Sequence, residues 1–426
     1  MGKKEEILWS ADGTLLLELQ PHTRAKHQLL AEYIRNWIDT LCSNNRWRES
    51  KVTLVDGFCG GGLYRDGNSF WEGSPIKMIR MLEEGYRMVR EERSKPYYHL
   101  HFKFIFIDKQ KEHIDCLRKQ IIDAGLGHYL DSDRCQLICK EFEKAVDECI
   151  SQAKGGHSFF LLDPCGIDDV SMSSIRKIID LGNSEILWTY MIKHLLRLLP
   201  QSKINDKEIK RRVIQDILEA EMYYDYKHYK QLESTKNITA AQQYLKNQSL
   251  QLIRNQGRIK YLYPFALMKD KNTVLYYLVH LANDPKAIEV MKYSTWKYNN
   301  LEYRYHYDCY GVGFRTLEYY EENSKFCDVD ETNLNICLED LSKKILPLIG
   351  NSEDGLTLSE IQDRIIEATP ATSEHLIFLI NELKKFNEVE VIKTNGKDFK
   401  GYNIAPKYLI RKPWQRTLFD LRSIIR

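Results

Sequence analysis

The hydrophobic pattern changes period several times along the chain, and each change marks an element. Leu29, Leu30, Tyr33, Ile34, Trp37 and Leu41 recur at helical spacing, with Thr23 as the expected N-cap. Before them, residues 9–22 read as an extended lead-in, with Leu15, Leu16, Leu17 and Leu19 available to pair or pack. Val52, Leu54 and Val55 then make a short buried strand. It stops at Asp56, and Gly57, Gly60, Gly61 and Gly62 follow within six positions. A detour over 66–100 contains a helix capped by Ser74, with Pro75 in its first turn. Further strands are predicted at His101–Ile107, 135–139, Ser158–Leu162 and Glu185–Tyr190, with helices at 111–124, 141–153 and about 171–181. Strands alternating with helices predict a doubly wound, mainly parallel α/β sheet.

The second half reads differently. Residues 200–260 are charged, rich in Lys, Gln and Tyr, and read as a helical insertion. Val274–Leu281 is a late strand, followed by a helix through Ala287 to Met291, and the Tyr- and Asp-rich stretch 297–335 predicts no element. From Leu341 come helical patterns at 341–349, 358–368 and 372–386. Two short strands follow, Val389–Lys393 and Gly401–Ile404, around Asn395-Gly396. Three helices and a hairpin in this order predict a winged helix-turn-helix.

A length of 426 residues allows two or three domains with real cores. Hydrophobic content is 43% and mean hydropathy −0.48, with no run of eighteen apolar residues, so no membrane span is expected. The first residues lack the apolar stretch of a signal peptide, which makes the cytoplasm the expected compartment. The ten cysteines are scattered, and Cys135 and Cys139 have no His or Cys partner at zinc-finger spacing. No metal site is expected, and the thiols should be reduced. A net charge of +2 leaves attraction to nucleic acid to local patches.

Candidate chemistry begins at the first strand. Glycines this dense reach positive φ and bring backbone N–H groups close to a ligand. The carboxyl end of a first strand is where open α/β sheets hold nucleoside-containing cofactors. Asp56, Phe58, Cys59, Gly60 and Gly62 form Asp-x-Phe-Cys-Gly-x-Gly, which is not the dinucleotide fingerprint. It resembles the D-x-F-x-G-x-G loop of class I methyltransferases that bind S-adenosylmethionine. On that resemblance Asp56 meets the methionine amino group, and N–H groups from Cys59 to Gly62 hold its carboxylate. The plain alternative for Asp56 is a turn-forming residue. Asp108 would take the ribose hydroxyls, about fifty residues on rather than the usual twenty or so because of the 66–100 detour, or else cap the helix at 111. Glu141 would meet the adenine amino group, or simply favour a helix dipole.

Asp163-Pro164-Cys165-Gly166 ends the fourth strand. Amino methyltransferases carry an acid or amide, two prolines and an aromatic there, so that the target amine is hydrogen-bonded and the base stacked. Here Asp163 and Pro164 match, while Cys165 and Gly166 replace the second proline and the ring. Pro164-Cys165 also resembles the nucleophile of cytosine C5 methyltransferases, but no downstream Glu-Asn-Val accompanies it. Cys165 as a small packing residue is the simpler reading.

The segments HTRAKHQLLAEYIRNW, VDGFCGGGLYRDG, GSPIKMI, FIFIDKQ, FFLLDPCG and LYYLVHLANDPKAIEVMKYSTW together resemble the three-Cys-motif partner family (TcmP). The resemblance implies a Rossmann-like, S-adenosylmethionine-dependent methyltransferase core over residues 1–335, with a helical insertion at about 200–260. A winged helix-turn-helix and tail follow over 341–426. It also implies a partner protein bearing three cysteines, in a bacterial mobile-element or defence context. Lys26, with His22 and His27, matches the family's N-terminal signature and could meet the cofactor or a phosphate, or form a solvated basic face. In the winged helix, Lys384 and Lys385, with Lys393, Lys397 and Lys400, could touch DNA or RNA phosphates. Glu374 and Glu382 on the same helix leave protein docking equally open. Two functions follow: a methyltransferase acting on nucleic acid, or a non-catalytic methyltransferase-shaped partner.

Overall fold

The computed structural model describes residues 9–43, 48–91, 97–192, 194–195, 212–234, 238–270, 273–300, 313–315 and 329–413. The chain divides into two compact units, with the described residues to 315 in the first and 329–413 in the second.

The first unit opens with helix α1 (Pro21–Cys42), which buries Leu29, Leu30, Tyr33, Ile34, Trp37 and Ile38. Its N-cap is Gln20, without a side-chain bond, and not the expected Thr23. Pro21 takes the first helical position, where its fixed φ starts the helix unaided. The sheet strands are β1 (Glu49–Asp56), β4 (His99–Asp108), β5 (Cys135–Cys139), β6 (His157–Leu162), β7 (Ser184–Tyr190), β8 (Tyr261–Asp270), β9 (Thr273–Ala282) and β10 (Gly313–Arg315). Between them lie the hairpin β2 (Leu63–Asp66) and β3 (Ser69–Glu72), and helices α2 (Ser74–Glu91), α3 (Lys111–Asp123), α4 (His128–Asp131), α5 (Phe142–Ala153) and α6 (Met172–Ile179). Helices α7 (Tyr226–Ser234) and α8 (Ile238–Gly257) follow a π-helical turn at Arg212–Ile217, and α9 (Pro285–Trp296) follows β9.

The sheet runs β10-β8-β9-β7-β6-β1-β4-β5. β1 pairs parallel with both β4 and β6, and only β9 runs against its neighbours β7 and β8. The chain fills one side of β1 with β4 and β5, then returns to its other side with β6 and β7. A switch point therefore opens at the carboxyl ends of β1 and β6. This is a Rossmann-like, mainly parallel sheet of the kind expected for a methyltransferase core. Its central strands are apolar runs, Val52, Leu54, Val55, Phe104 to Ile107 and Phe159 to Leu162, because helices cover both faces.

Two further features of the first unit depart from the sequence reading. The 66–100 detour contains the β2–β3 hairpin, and the predicted late strand is one half of a long antiparallel pair whose other half, β8, begins where the helical insertion ends. Pro264 removes one ladder N–H from β8, which hides it as a strand. Within the insertion, Arg176 of α6 grips Glu219 with two bonds of 2.8 and 2.6 Å and the Gln256 carbonyl with a third of 2.7 Å. Most of 297–335 lies outside the described residues.

The second unit consists of α10 (Val329–Gly350), β11 (Leu356–Thr357), α11 (Leu358–Ile365), α12 (Ser373–Lys385), β12 (Glu390–Ile392) and β13 (Leu409–Arg411). Capping boxes at Thr357 with Glu360 and at Thr372 with His375 start α11 and α12. The sheet is β11-β13-β12, antiparallel throughout. The returning strand is at 409–411, not at Gly401–Ile404 as expected. The carbonyls of Gly401 and Tyr402 instead accept from Lys384 and Asn381 of α12, so that backbone is unavailable to a ladder. Among the described residues no helix is long and apolar enough to cross a membrane.

Candidate functional site

Asp56, Asp108 and Asp163 stand at or directly after the carboxyl ends of β1, β4 and β6, three adjacent strands. The glycine loop leaves β1 with Gly60 at φ 57° and Gly62 at φ 80°. Most of its N–H groups are taken by the protein. Gly57 donates to the Leu161 carbonyl (2.9 Å), Phe58 to Asp56 Oδ1 (3.1 Å), Cys59 to the Ile107 carbonyl (2.9 Å) and Gly60 to Asp108 Oδ2 (3.2 Å). Gly61 and Gly62 carry the loop N–H groups with no acceptor among the described residues. A bound amino-acid carboxylate needs such donors, so the loop fits that end of the expected cofactor through Gly61 and Gly62 rather than Cys59 and Gly60.

Asp56 is fully buried. Ser74 donates its hydroxyl to Asp56 Oδ2 at 2.6 Å, so this serine holds the acid instead of capping α2. Burial pushes the Asp56 carboxyl up to about 7 against the bonds from Ser74 and Phe58, with Asp163 and Asp108 adding to the rise. Cys59 is also buried, and burial raises its thiol far above the ordinary value. Phe58 packs against Phe142 at 5.7 Å between ring centroids.

Asp108 works within the protein. Beyond Gly60 it accepts from Gln110 N–H (2.8 Å) and faces His113 Nδ1 (3.1 Å) through Oδ1, so it fixes the turn into α3, whose N-cap is Gln110, and clamps the loop together. A carboxylate has about four lone-pair sites, which leaves one for a ligand hydroxyl. Glu141 is exposed and paired with Lys144 at 2.7 Å, which holds its carboxyl below the ordinary value.

Asp163 is the most open of the three strand-end acids, with 30% of its side chain exposed against 14% for Asp108. Lys26 of α1 reaches its Oδ2 at 2.5 Å. Burial opposes ionisation of Asp163, but the Lys26 charge and hydrogen bond outweigh it and hold the carboxyl below the ordinary value. The Lys26 ammonium also lies 5.2 Å from the ring centroid of Tyr276, whose hydroxyl is buried without a hydrogen-bond partner among the described residues. His22 meets the same ring edge-on at 6.0 Å, and burial lowers its pKa. His27 accepts the Trp71 indole N–H at 3.0 Å and is pushed down to about 3 by burial, so it is neutral and structural. Pro164 is buried. Cys165 is exposed, which corrects its reading as a packing residue. Desolvation at the sulfur and the carboxylates of Asp163 and Asp169 push its thiol up, the opposite of what a nucleophile needs.

Several neighbours of this edge carried no signal in the sequence. Trp9 is buried over the glycine loop: a Cβ on Gly61 would stand 2.3 Å from its Cγ, and one on Gly60 would stand 3.0 Å from its ring. Its indole N–H donates to the Leu63 carbonyl at 2.6 Å, and its ring meets His113 and Tyr64 edge-on at 5.0 and 5.3 Å. Tyr276 and His113 are likewise placed by long-range packing. A cleft of about 680 Å³ lies at the opposite, amino edge of the strands, lined by Glu49, Lys51, His157, Glu185 and Asn283, away from the three acids. No group of three or more His, Cys, Asp or Glu side chains that could hold a metal ion occurs among the described residues.

No family model matches the chain, and no curated protein matches it. Among solved structures it is similar to the plantazolicin methyltransferase BamL in complex with a triazolic desmethylPZN analog and SAH. The identity is 12%, over 62% of this chain and 88% of that one, with a TM-score of 0.26. It is also similar to cofactor-bound Rv0187 from MTB, at 14% identity over 64% of this chain and 94% of that one, with a TM-score of 0.27.

In the second unit, Lys384 donates to the Gly401 carbonyl at 2.6 Å and to Asn381 at 3.1 Å, and desolvation lowers its pKa. Lys385 pairs with Glu382 at 2.5 Å. Both expected phosphate contacts are engaged within the unit. Phe386 and Tyr402 are exposed beside them.

Proposed function

We propose that the first unit binds S-adenosylmethionine at the carboxyl edge of its sheet and transfers the methyl group to a nitrogen of a nucleic-acid base. The observation that carries this reading is Asp163, ionised by Lys26 and partly open to solvent, beside a glycine loop with two unused N–H donors. S-adenosylmethionine supplies an electrophilic methyl group on a sulfonium. Gly61 and Gly62 N–H groups would take its carboxylate, and the remaining lone pair of Asp108 a ribose hydroxyl. Asp163 would accept an N–H of the target amine and so orient the nitrogen lone pair. Buried Pro164 fixes the backbone that presents Asp163.

The finer assignment follows the motif resemblance: a member of the three-Cys-motif partner family, cytoplasmic, working with a three-cysteine protein in a mobile-element or defence setting. Its second unit would be a winged helix that contacts DNA or RNA. One observation favours a second reading, a non-catalytic partner protein. Cys165 and Gly166 offer no ring to stack a flipped base.

Calorimetric titration with S-adenosylmethionine should give micromolar binding, weakened by Asp108→Asn. Labelled methyl groups should then appear in a nucleic-acid pool, with or without the partner. Asp163→Ala should lower incorporation at least a hundredfold while binding persists. Silence at millimolar cofactor would end the enzyme reading, and undiminished transfer by Asp163→Ala would remove Asp163 from it.

A further inference from the structure

Three polar groups near the glycine loop have no partner among the described residues, and two of them lie beside one indole. Gly61 and Gly62 have N–H groups without acceptors among the described residues. His113 is 4% exposed, its Nδ1 faces Asp108, and its Nε2 is buried without a partner among the described residues. A ring that donates from Nδ1 to a carboxylate presents Nε2 as an acceptor. Trp9 sits against His113 and Gly61: its ring is 5.0 Å from His113, and its atoms fill the space that Gly60 and Gly61 leave by lacking a Cβ, while Gly62 faces Leu117. The segment carrying it is held by the Leu63 bond, by a single bridge between Glu18 and Arg65, and by a small apolar cluster of Trp9, Leu16 and Cys116, so a ligand must outweigh that packing to move it.

An indole is a flat, nitrogen-bearing bicycle of nearly the size of a purine. A buried donor or acceptor left unpaired is costly, and a ligand that supplies its partner recovers that cost. We propose that Trp9 occupies the ligand's place on the glycine loop, and that a nucleoside-bearing amino acid displaces it. His113 Nε2 then accepts from the nucleoside, while Gly61 and Gly62 donate to the carboxylate. His113 becomes a ligand contact and Trp9 a plug whose removal lowers the barrier to binding. This rests on the cofactor reading above and adds the residues that gate it.

The test is calorimetry with S-adenosylmethionine on the full chain, for the wild type, Trp9→Ala and His113→Asn. The asparagine amide can replace the Nδ1–H toward Asp108 but offers nothing at Nε2. Trp9→Ala should bind at least tenfold tighter than wild type, and His113→Asn about tenfold weaker. In parallel, the fluorescence difference between wild type and Trp9→Phe isolates this indole. It should shift red and become open to acrylamide when the ligand is added. Equal or weaker binding by Trp9→Ala, with an unmoved Trp9 emission, would overturn the plug and make Trp9 a wall of the site. Wild-type affinity in His113→Asn would remove the histidine. If no form of the protein binds, the cofactor reading itself fails; if only Trp9→Ala binds, both stand.

Discussion

Replacing Gly61 by alanine tests whether the glycine loop is shaped by Trp9. An ideal Cβ at Gly61 would lie 2.3, 2.4 and 2.7 Å from Trp9 Cγ, Cδ1 and Cβ, closer than side-chain carbons ever approach. These are the root atoms of the indole, so no rotation of its far end relieves the clash, and Trp9 must leave its seat. Leaving loses most of what Trp→Ala would lose, roughly 3–5 kcal/mol for a buried ring, including about 1 kcal/mol for the bond to Leu63. We therefore expect Gly61→Ala to cost about 3 kcal/mol in urea denaturation followed by far-UV circular dichroism. In a Trp9→Ala background the obstacle is gone, and Gly61 does not occupy the left-handed region, so the same change should cost under about 1 kcal/mol. Gly67→Ala is the control. At φ 58°, with nothing within 4 Å of an added Cβ, it carries a backbone penalty of about 1–2 kcal/mol that should persist in both backgrounds. Equal costs for Gly61→Ala with and without Trp9 would refute the reasoning.

Three further outcomes follow from the same edge and from the second unit. Asp56 has a folded pKa raised to about 7 from 3.8, so the stability it contributes is complete below pH 4 and is lost as pH rises through 7. The difference amounts to about 4 kcal/mol at most. Asp56→Asn should narrow the gap between urea midpoints at pH 5 and pH 8, and an unchanged gap would place the titration elsewhere. Lys26→Met strips Asp163 of its cation, so pH titration of a 13C-labelled carboxyl at Asp163 should show its pKa rise; a fixed value would mean Lys26 is not its counter-ion. Lys384→Ala should destabilise the second unit by about 1 kcal/mol through the lost bonds to Gly401 and Asn381, and leave the salt slope of any nucleic-acid binding unchanged. A slope reduced by about one unit would instead make Lys384 a phosphate contact.

What the sequence made legible was local. Apolar runs ending in Asp56, Asp108 and Asp163 read directly as buried parallel strands with acids at their ends, and the stripe of α1 read as a buried helix face. The glycine loop was found, but its purpose was half concealed. Gly57, Gly60, Gly61 and Gly62 are needed first for Phe142, Trp9 and Leu117, side chains distant in sequence or separated from the loop by irregular chain. No periodicity predicts that Trp9 will lie on Gly61, or that Ser74 will turn from its own helix to Asp56. β8 was missed because Pro264 contradicts a strand locally, while its partner β9 overrides that objection through nine registered pairs. The strand expected at Gly401–Ile404 was misplaced for a related reason: the carbonyls of Gly401 and Tyr402 face α12, and only tertiary structure shows it.

Glu185, at the start of β7, accepts from the Trp37 indole at 2.7 Å and is bonded by Tyr33 and by His280 Nε2. Tyr33 in turn meets His280, 247 residues further along the chain. On a ribosome adding about 5–20 residues per second, α1 is therefore finished some 12–50 s before the residue that completes its seat exists. Throughout that interval the stripe of Leu29, Leu30, Tyr33, Ile34 and Trp37 has only a partial sheet to cover it. The nascent chain thus carries an apolar helix first and its anchor late, so that stripe must stay covered by other means until β9 emerges.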